Sequence, residues 1–263
     1  MKNITIILPI HKLDDTYKEM LQNSVKSVEP FYEDVKLLIV HPPSLYEDIK
    51  PILETLSQKL EIKCVVHTSN TDFCTQVNKG IEQCDTEWFS ILEVDDEYKP
   101  VWIKSMNEYL NAYPDVDVFL PVVKDINVEG KLLTFTNESN WAYGFTQTQG
   151  FLDNEALIEF QNYQISGALY KTQVVKDNGS LKDNIKLTFG YEFLLRLTHN
   201  NTKIMTVPKI GYQHVNFRED ALFWLYKNDE AYKLSEDEVK FWLDTARKEF
   251  FFKNKRDIEY KTT

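Results

Sequence analysis

The stretch FSILEVDD, residues 89–96, decides the fold. Its mostly apolar start is typical of a buried strand, and three carboxylates, Glu93, Asp95 and Asp96, follow that strand within four positions. Carboxylates this close raise each other's pKa, so the arrangement is costly unless a cation lies among them. Oxygen ligands of this kind suit Mg²⁺ or Mn²⁺. Taken alone, the motif fits a divalent cation site or a solvated acidic turn.

Strands and helices alternate on both sides of this stretch. The apolar pattern predicts further strands at 3–10, 35–40, 62–67 and 116–120, with helices at 17–28, 45–60, 71–84 and 100–112. This rhythm indicates βαβ crossovers and therefore an α/β fold with a mainly parallel sheet flanked by helices. Ligands of such sheets bind beyond the carboxyl ends of the strands. Those ends lie at 9–11, 41–44, 67–72 and 93–96.

The pattern changes after about Val122. Glu129-Gly130 predicts a hairpin turn, and 137–164 is predicted to form loops over a site. A helix is predicted at 189–199 and a strand at 203–208. The chain then ends in two predicted amphipathic helices, at 219–233 and 235–252, and Ser235 with Glu238 forms a capping box at the start of the second.

Composition restricts the class of protein. The 263 residues are 43% hydrophobic and carry a formal net charge of −11, which opposes non-specific binding to nucleic acid or anionic lipid. No apolar stretch approaches the roughly 20 residues that span a bilayer, and the N-terminus lacks the features of a signal peptide. Three cysteines are an odd count for a disulfide framework. We expect a soluble, cytoplasmic protein without a transmembrane segment.

An ordered series of short motifs leads to a family. ITIILPIHK at 4–12 ends its strand in a turn that contains Pro9, and further landmarks follow at Asn70, at Asn78-Lys79-Gly80-Ile81, at 85–88 and at 89–96. In this order and spacing the chain resembles the family 2 glycosyltransferases, which are inverting enzymes of the GT-A fold. The resemblance covers 3–100 and returns at 166–218.

The resemblance implies a domain layout and a reaction. A GT-A-like (Rossmann-like) catalytic domain is expected at 1–218, with a nucleotide-binding half at 1–120 and an acceptor half at 121–218. A C-terminal helical extension is expected at 219–263. The implied activity is metal-dependent transfer of a sugar, with inversion, from a nucleotide-sugar donor to a hydroxyl of a glycan, a polysaccharide or a modified nucleobase. A UDP-sugar is the favoured donor, with Mn²⁺ or Mg²⁺ as cofactor.

The resemblance also assigns roles around the cation. Glu93 and Asp95 take the places of the first and last acids of the family's DxD motif, and Asp95 is the expected metal ligand that holds the donor diphosphate. Asp96 is expected to support the waters of the metal or the sugar. His214 resembles a downstream histidine that ligates the same cation, and Arg218 is expected to bind the diphosphate in a bidentate manner.

The nucleotide-binding residues depart from the family pattern. Many relatives carry an Asp after the second strand, whereas this chain has His41-Pro42-Pro43-Ser44 there. The identity of the nucleobase in the donor therefore stays open. The residues expected to line the donor nucleotide are Pro9, His11, His41, Asn70, Asp72 and Asn78.

The general base is sought in Phe189–Arg196. In the commonest spacing of the family the base lies six residues before the Arg, which is Gly190 here, whereas Glu192 lies four before Arg196. We predict Glu192 as the base that deprotonates the acceptor hydroxyl. Two alternatives stay open: a base from elsewhere, such as Asp183, or a plain i,i+4 ion pair between Glu192 and Arg196.

Two other functions compete with the transferase. A nucleotidylyltransferase usually has a Gly-rich phosphate loop after its first strand, and PIHKLDDT contains no Gly. A non-catalytic module that binds a nucleotide or sugar on the same fold is the second alternative. The missing carboxylates at Gly190 and after the second strand favour it, and the retained acids and His214 argue against it.

Overall fold

The computed structural model describes residues 3–56, 59–67, 72–137, 150–159, 163–242 and 244. Its elements in chain order are β1 (Ile4–Pro9), α1 (Asp15–Val28), β2 (Val35–His41), α2 (Tyr46–Thr55), β3 (Glu61–Val66), α3 (Phe73–Gln83), β4 (Trp88–Ile91), β5 (Glu97–Tyr98), α4 (Trp102–Ala112), β6 (Val118–Ile126), β7 (Leu132–Thr136), β8 (Phe151–Leu152), α5 (Asn154–Glu159), β9 (Leu169–Lys171), α6 (Thr172–Asp177), α7 (Phe189–His199), β10 (Ile204–Val215) and α8 (Leu222–Asn228).

One sheet runs through the molecule in the order β3-β2-β1-β4-β9-β6-β10-β5, with β7 on β6 and β8 on β10. The first four strands are parallel to one another, and β6 is parallel to β10 along nearly its whole length. Strand β9 is antiparallel to both β4 and β6, so it joins the two parallel groups. The predicted α/β fold with a sheet flanked by helices is confirmed, although the sheet is mixed beyond β4.

Helices cover both faces of this sheet. On β1, alternation sends Ile4, Ile6 and Leu8 to the face covered by α1 and α4, while Ile7 packs against α3 on the other face. Each of these side chains is nearly or fully buried, as the continuous apolar run in the sequence predicts. Two apolar layers therefore hold the parallel strands, and their carboxyl ends stay aligned along one edge.

The second half of the chain differs from the prediction in the length of its strands. Strand β10 continues to Val215, far beyond the predicted end at 208, and its pairing with β6 shifts register between Val207 and Tyr212. Pro208 lies within that irregularity, and the irregularity lets the strand continue to the edge of the sheet. Strand β6 likewise continues into the predicted hairpin, whose second strand is β7.

The first C-terminal helix is shorter than predicted, and the described part of the second lies within its predicted range. Helix α8 covers seven residues, and residues 236–242 are helical. The predicted capping box is present: the Glu238 carboxylate accepts from the Ser235 backbone N–H at 2.8 Å, and the Ser235 hydroxyl accepts from the Glu238 N–H at 3.2 Å. In the part of the chain that the structure describes, no helix is both long and apolar enough to cross a membrane.

Candidate functional site

The acidic stretch forms a tight turn at the carboxyl end of β4. The Asp96 N–H donates to the Glu93 carbonyl at 3.1 Å, and the Ser24 hydroxyl of α1 donates to the Val94 carbonyl at 2.5 Å. Val94 is buried in the core, whereas Glu93 and Asp95 on either side of it are partly exposed. Val94 thus anchors the turn, and the three carboxylates flank it at the carboxyl end of β4.

Tyr212 of β10 supports this turn from the opposite side. Its hydroxyl oxygen accepts a hydrogen bond from the Glu93 N–H at 3.0 Å. The ring lies against Gly167, which has a φ of +77°, and a Cβ atom at that position would collide with the ring. Trp102 completes the contact, since its indole N–H donates to the Gly167 carbonyl at 2.8 Å. Only glycine satisfies both the backbone conformation and the close approach.

Three side chains come together as a possible cation site: Glu93, Asp96 and His214. Each offers a ligand atom, and these atoms all lie within 4.8 Å of one another. The Nδ1 atom of His214 lies 2.9 Å from Asp96 Oδ2, and Asp96 Oδ1 accepts from the Val215 N–H at 2.9 Å. The Ser166 hydroxyl orients Glu93 by donating to its Oε1 at 2.7 Å. Two carboxylates and one imidazole suit Mn²⁺ or a similar divalent cation.

The protonation of this cluster explains how it tolerates its charge. Burial and the neighbouring Asp96 carboxylate raise the pKa of Glu93 to about 7. Burial alone would lower the pKa of His214, but the charge and hydrogen bond of Asp96 outweigh it and raise that pKa to about 10. Retained protons thus offset the negative charge of the metal-free cluster. A divalent cation fits the same place because it would offset that charge in their stead.

Asp95, the predicted metal ligand, has a different partner. Its Oδ2 lies 2.6 Å from Arg218 Nη1, and both side chains are largely buried. Burial and the neighbouring Asp96 carboxylate raise the pKa of Asp95, although Arg218 opposes them. Asp95 does not belong to the group of ligand atoms formed by Glu93, Asp96 and His214. The structure therefore brings together the predicted site acids, His214 and Arg218, but it divides the acids between a cation cluster and an ion pair.

The ends of the first strands hold some of the predicted nucleotide-binding residues. Pro9 ends β1 beside Val40, and the His11 ring packs edge-on against the Tyr17 ring with centroids 5.4 Å apart. His41 is fully buried, and its Nδ1 lies 2.8 Å from the Pro42 carbonyl, which makes Nδ1 the donor. No hydrogen-bond partner of its Nε2 atom is found among the described residues. In the neutral ring with its proton on Nδ1, that atom is a buried acceptor.

Asp72 and Asn78, which are also predicted to bind the donor, have local structural roles. Asp72 caps α3, where its carboxylate accepts from the Thr75 N–H at 3.0 Å. The Asn78 amide donates to the Leu181 carbonyl at 2.7 Å and accepts from the Leu181 N–H at 2.9 Å. Asn78 thus ties α3 to the loop before α7. Asn70 lies outside the described residues.

Glu192, the predicted base, is completely buried on α7. Its Oε1 and Oε2 accept from Nε and Nη2 of Arg196 at 2.9 and 3.0 Å, and Lys182 Nζ lies 3.0 Å from Oε1. Arg196 also donates to the carbonyls of Asn178 and Ser180. This is the i,i+4 ion pair that the sequence left open. It favours a role for Glu192 in holding the loop at 178–182 over direct contact with an acceptor.

Several residues of the site escaped the sequence analysis. Lys12, Tyr17 and Asp220 form a group with Arg218 beside Asp95, and Ser166 and Tyr212 support Glu93. A basic residue directly after the Pro9 turn was a usable signal for Lys12, because that turn lies at the carboxyl edge of the sheet. Asp220 gave no signal through Lys12, which is 208 positions away in sequence, although Arg218 lies only two residues before it.

The comparisons with known proteins agree with this geometry. Residues 5–184 match the family model described as "Glycosyl transferase family 2". No curated protein matches the chain significantly. Among solved structures, S. aureus TarS 1–349 in complex with UDP-GlcNAc superposes with a TM-score of 0.67 at 16% identity, covering 100% of this chain and 76% of that one.

Two further structures are similar. S. aureus TarS 1–349 in complex with UDP has a TM-score of 0.61 at 17% identity, and the match covers 96% of this chain and 72% of that one. The mannosyltransferase PcManGT from Pyrobaculum calidifontis, in complex with GDP-Man and Mn²⁺, has a TM-score of 0.60 at 10% identity, covering 83% and 58%. At such identities the structures show a shared fold, and that fold is GT-A.

Proposed function

Because the chain belongs to glycosyl transferase family 2, we propose that it transfers a sugar from a nucleotide-sugar donor to an acceptor hydroxyl with the help of a divalent cation. The family match covers residues 5–184 and makes the protein a glycosyltransferase. One observation carries the cation: the ligand atoms of Glu93, Asp96 and His214 lie within 4.8 Å of one another at the end of β4.

The similar structures support the kind of donor. TarS was solved with UDP-GlcNAc and with UDP, and PcManGT with GDP-Man and Mn²⁺. We propose a UDP-sugar as the donor and Mn²⁺ or Mg²⁺ as the cation. His41 takes the position at which many relatives have an Asp, and its Nε2 is an acceptor, as a carboxylate oxygen is. An acceptor at residue 41 would suit a nucleobase that has an N–H donor. The binding of such a nucleobase requires that His41 become accessible.

Different residues of the chain would bind the cation and the diphosphate. A bound cation would act as a Lewis acid that neutralises the departing nucleoside diphosphate. Glu93 and Asp96 supply the negative charge that holds it, and the neutral His214 ring supplies a nitrogen ligand. Arg218 lies next to this group through its contact with Asp95, and its planar guanidinium suits a bidentate contact with phosphate oxygens. Asp95 keeps two proposed roles: it holds the Arg218 guanidinium in place, or it becomes a ligand of the cation when the donor binds.

Inversion requires a base on the acceptor side. We propose Asp183, the alternative to Glu192, because Asp183 is exposed whereas Glu192 is enclosed by Arg196 and Lys182. Leu181, two residues before Asp183, is hydrogen-bonded through its backbone to Asn78 of α3, whose first turn follows β3. That turn lies at the carboxyl edge of the sheet. Glu192 would then position the loop that carries Asp183.

The donor site is tested by isothermal titration with UDP and GDP, in Mn²⁺ and in EDTA. The wild type is compared with Asp96→Asn and with a control, Asp115→Asn, which removes an exposed carboxylate paired with Lys203. We expect nucleotide binding that requires Mn²⁺ and is lost only in Asp96→Asn. Binding that is equal in Mn²⁺ and EDTA would contradict the cation, and no binding of either nucleotide would contradict the donor.

The stereochemistry and the base are tested without knowing the acceptor. Transferases of this kind can pass the sugar to water, so proton NMR of a slowly hydrolysed UDP-sugar reports which anomer is released first. An inverted anomer supports a single displacement, and a retained anomer contradicts it. Asp183→Asn should slow this release while leaving nucleotide binding and the unfolding temperature unchanged. Unchanged release in that variant would remove Asp183 from the reaction.

A further inference from the structure

A carboxylate bridges two cations at the edge of the candidate site. Asp220 Oδ2 accepts from Lys12 Nζ at 2.9 Å and from Arg218 Nη2 at 2.8 Å. Its Oδ1 accepts from Arg218 Nε at 3.0 Å. Asp220 thus receives the two parallel hydrogen bonds of a guanidinium and one from an ammonium. A phosphate group is recognised by the same bidentate arrangement of donors.

The two cations are held side by side by Tyr17 of α1. Lys12 Nζ lies 4.3 Å from the centre of the Tyr17 ring, and the Arg218 guanidinium carbon lies 4.9 Å from it. Two like charges next to one ring are stabilised by an anion that contacts both, and in this structure Asp220 makes both contacts. The pair would bind another anion of similar shape at the same place.

The position of this pair relates it to the acidic cluster. Lys12 follows β1 and Arg218 follows β10, so both lie where their strands reach the carboxyl edge of the sheet. Arg218 also bonds Asp95 at 2.6 Å, directly beside Asp96 of the candidate cation site. A diphosphate that contacts a cation among Glu93, Asp96 and His214 would lie within reach of the same guanidinium.

Asp220 is the member of the group that is able to leave. Its side chain is 41% exposed, whereas that of Arg218 is 6% exposed, so rotation of Asp220 into solvent would uncover little of the core. Burial works against its ionisation, but hydrogen bonds from Arg218 and Lys12 outweigh burial and hold the pKa of Asp220 below its usual range. Asp220 is therefore an anion wherever a nucleoside diphosphate is one.

The surrounding segment depends on these contacts. Asp220 lies in the turn at 216–221 between β10 and α8, and Phe217 in that turn has a φ of 61° with 66% of its surface exposed. A bulky residue in the left-handed region stays there only when its neighbours hold it. The ion pairs of Asp220 with Lys12 and of Arg218 with Asp95 join this turn to the segments that follow β1 and β4.

From this geometry we propose that Lys12 and Arg218 form the cation pair that binds the diphosphate of the donor, and that Asp220 occupies their binding place until the donor displaces it. The inference rests on the proposed function and adds two residues to it. Lys12 is a donor-binding residue, and Asp220 is an internal anion that competes with the donor. Donor binding and release of the turn at 216–221 are then one event.

Titration calorimetry with UDP, GDP and inorganic pyrophosphate tests the competition. We compare the wild type with Asp220→Asn, Lys12→Gln and Glu219→Gln, the last of which removes the same charge from the exposed neighbouring residue. Loss of the competing ion pairs should tighten binding of the nucleotide in Asp220→Asn by roughly three- to tenfold, and Glu219→Gln should change it by less than about twofold. Lys12→Gln should weaken binding.

The double variant Lys12→Gln/Asp220→Asn supplies a sharper measurement. If Asp220 competes with the donor for Lys12, Asp220→Asn should increase the nucleotide affinity less in the Lys12→Gln background than in the wild type. A double-mutant cycle measures this coupling between the two residues. Nucleotide binding that is unchanged or weakened in Asp220→Asn would overturn this inference alone. Failure of UDP and GDP to bind to every variant, the wild type included, would overturn the proposed function as well. Unfolding temperatures show whether each variant is folded.

Discussion

Two buried groups of carboxylates differ in how their charge is balanced. At the end of β4, Glu93, Asp95 and Asp96 share two cationic neighbours, Arg218 and a protonated His214. On α7, the single carboxylate of Glu192 has both Arg196 and Lys182. The first group has more negative than positive charge, and the second has more positive than negative charge.

The difference separates a binding site from a structural ion pair. A buried carboxylate whose partners neutralise it fixes the elements that carry those partners, here α7 and the loop at 178–182. A group with surplus negative charge instead keeps protons or takes up a cation. We therefore expect surplus negative charge to mark the acids that bind a cation, and neutralised carboxylates to hold the structure together.

The largest expected effect comes from Glu192→Gln. This change leaves Arg196 buried without its counterion, which costs roughly 3–5 kcal/mol of unfolding free energy and about 10 °C in unfolding temperature. Glu108→Gln is the matched control, because Glu108 and Lys104 form an exposed i,i+4 pair 3.9 Å apart. The control should lose less than about 0.5 kcal/mol. Thermal denaturation measures both, and equal small losses would contradict the structural assignment of Glu192.

Glu93→Gln should have the opposite pattern of effects, with a large loss of activity and little or no loss of stability. Loss of one cation ligand should reduce donor hydrolysis by roughly a hundredfold, or about 3 kcal/mol. The unfolding temperature of the metal-free protein should stay unchanged or rise at pH 8, because the change removes a charge that burial disfavours. Activity and thermal denaturation of the same preparation test both halves. A strongly destabilised Glu93→Gln protein would place Glu93 with Glu192 as a structural acid.

The third expected effect is on pH dependence. The pKa of Glu93 rises from 4.5 to about 7 on folding, and that of His214 from 6.5 to about 10. Folding therefore favours the protonated forms, so their contribution to the stability of the metal-free protein declines between pH 4.5 and 7 for Glu93 and between 6.5 and 10 for His214. A cation competes with these protons.

Binding of Mn²⁺ should therefore tighten as the pH rises from about 6 to 8, by roughly tenfold per pH unit for each proton released. Calorimetry in buffers of different ionisation enthalpy measures both the affinity and the protons. His214→Gln is the informative variant, since it should flatten the dependence. Affinity that does not change with pH in the wild type would mean that these groups do not bind the cation.

The sequence was informative where the chemistry is local. A strand followed by acids placed Glu93, Asp95 and Asp96 correctly at the sheet edge, because β4 and its turn are adjacent in the chain. The pairing of each acid could not be predicted, since it depends on how β10 continues past its register shift to bring His214 and Arg218 to the turn. The contacts of Lys182 with Glu192 and of Lys12 with Asp220 could not be predicted for the same reason, since only the folded chain brings these residues together.

The contact between Gly167 and Tyr212 has a consequence for the evolution of this chain. The tyrosine hydroxyl supports the Glu93 backbone only because no side chain stands at Gly167. Neither position can therefore change first without loss: a larger residue at 167 displaces the ring, and a smaller one at 212 removes the support and leaves a void. Because the positive φ at 167 disfavours a side chain whatever residue stands at 212, descendants of this sequence are expected to keep Gly167 even where Tyr212 changes.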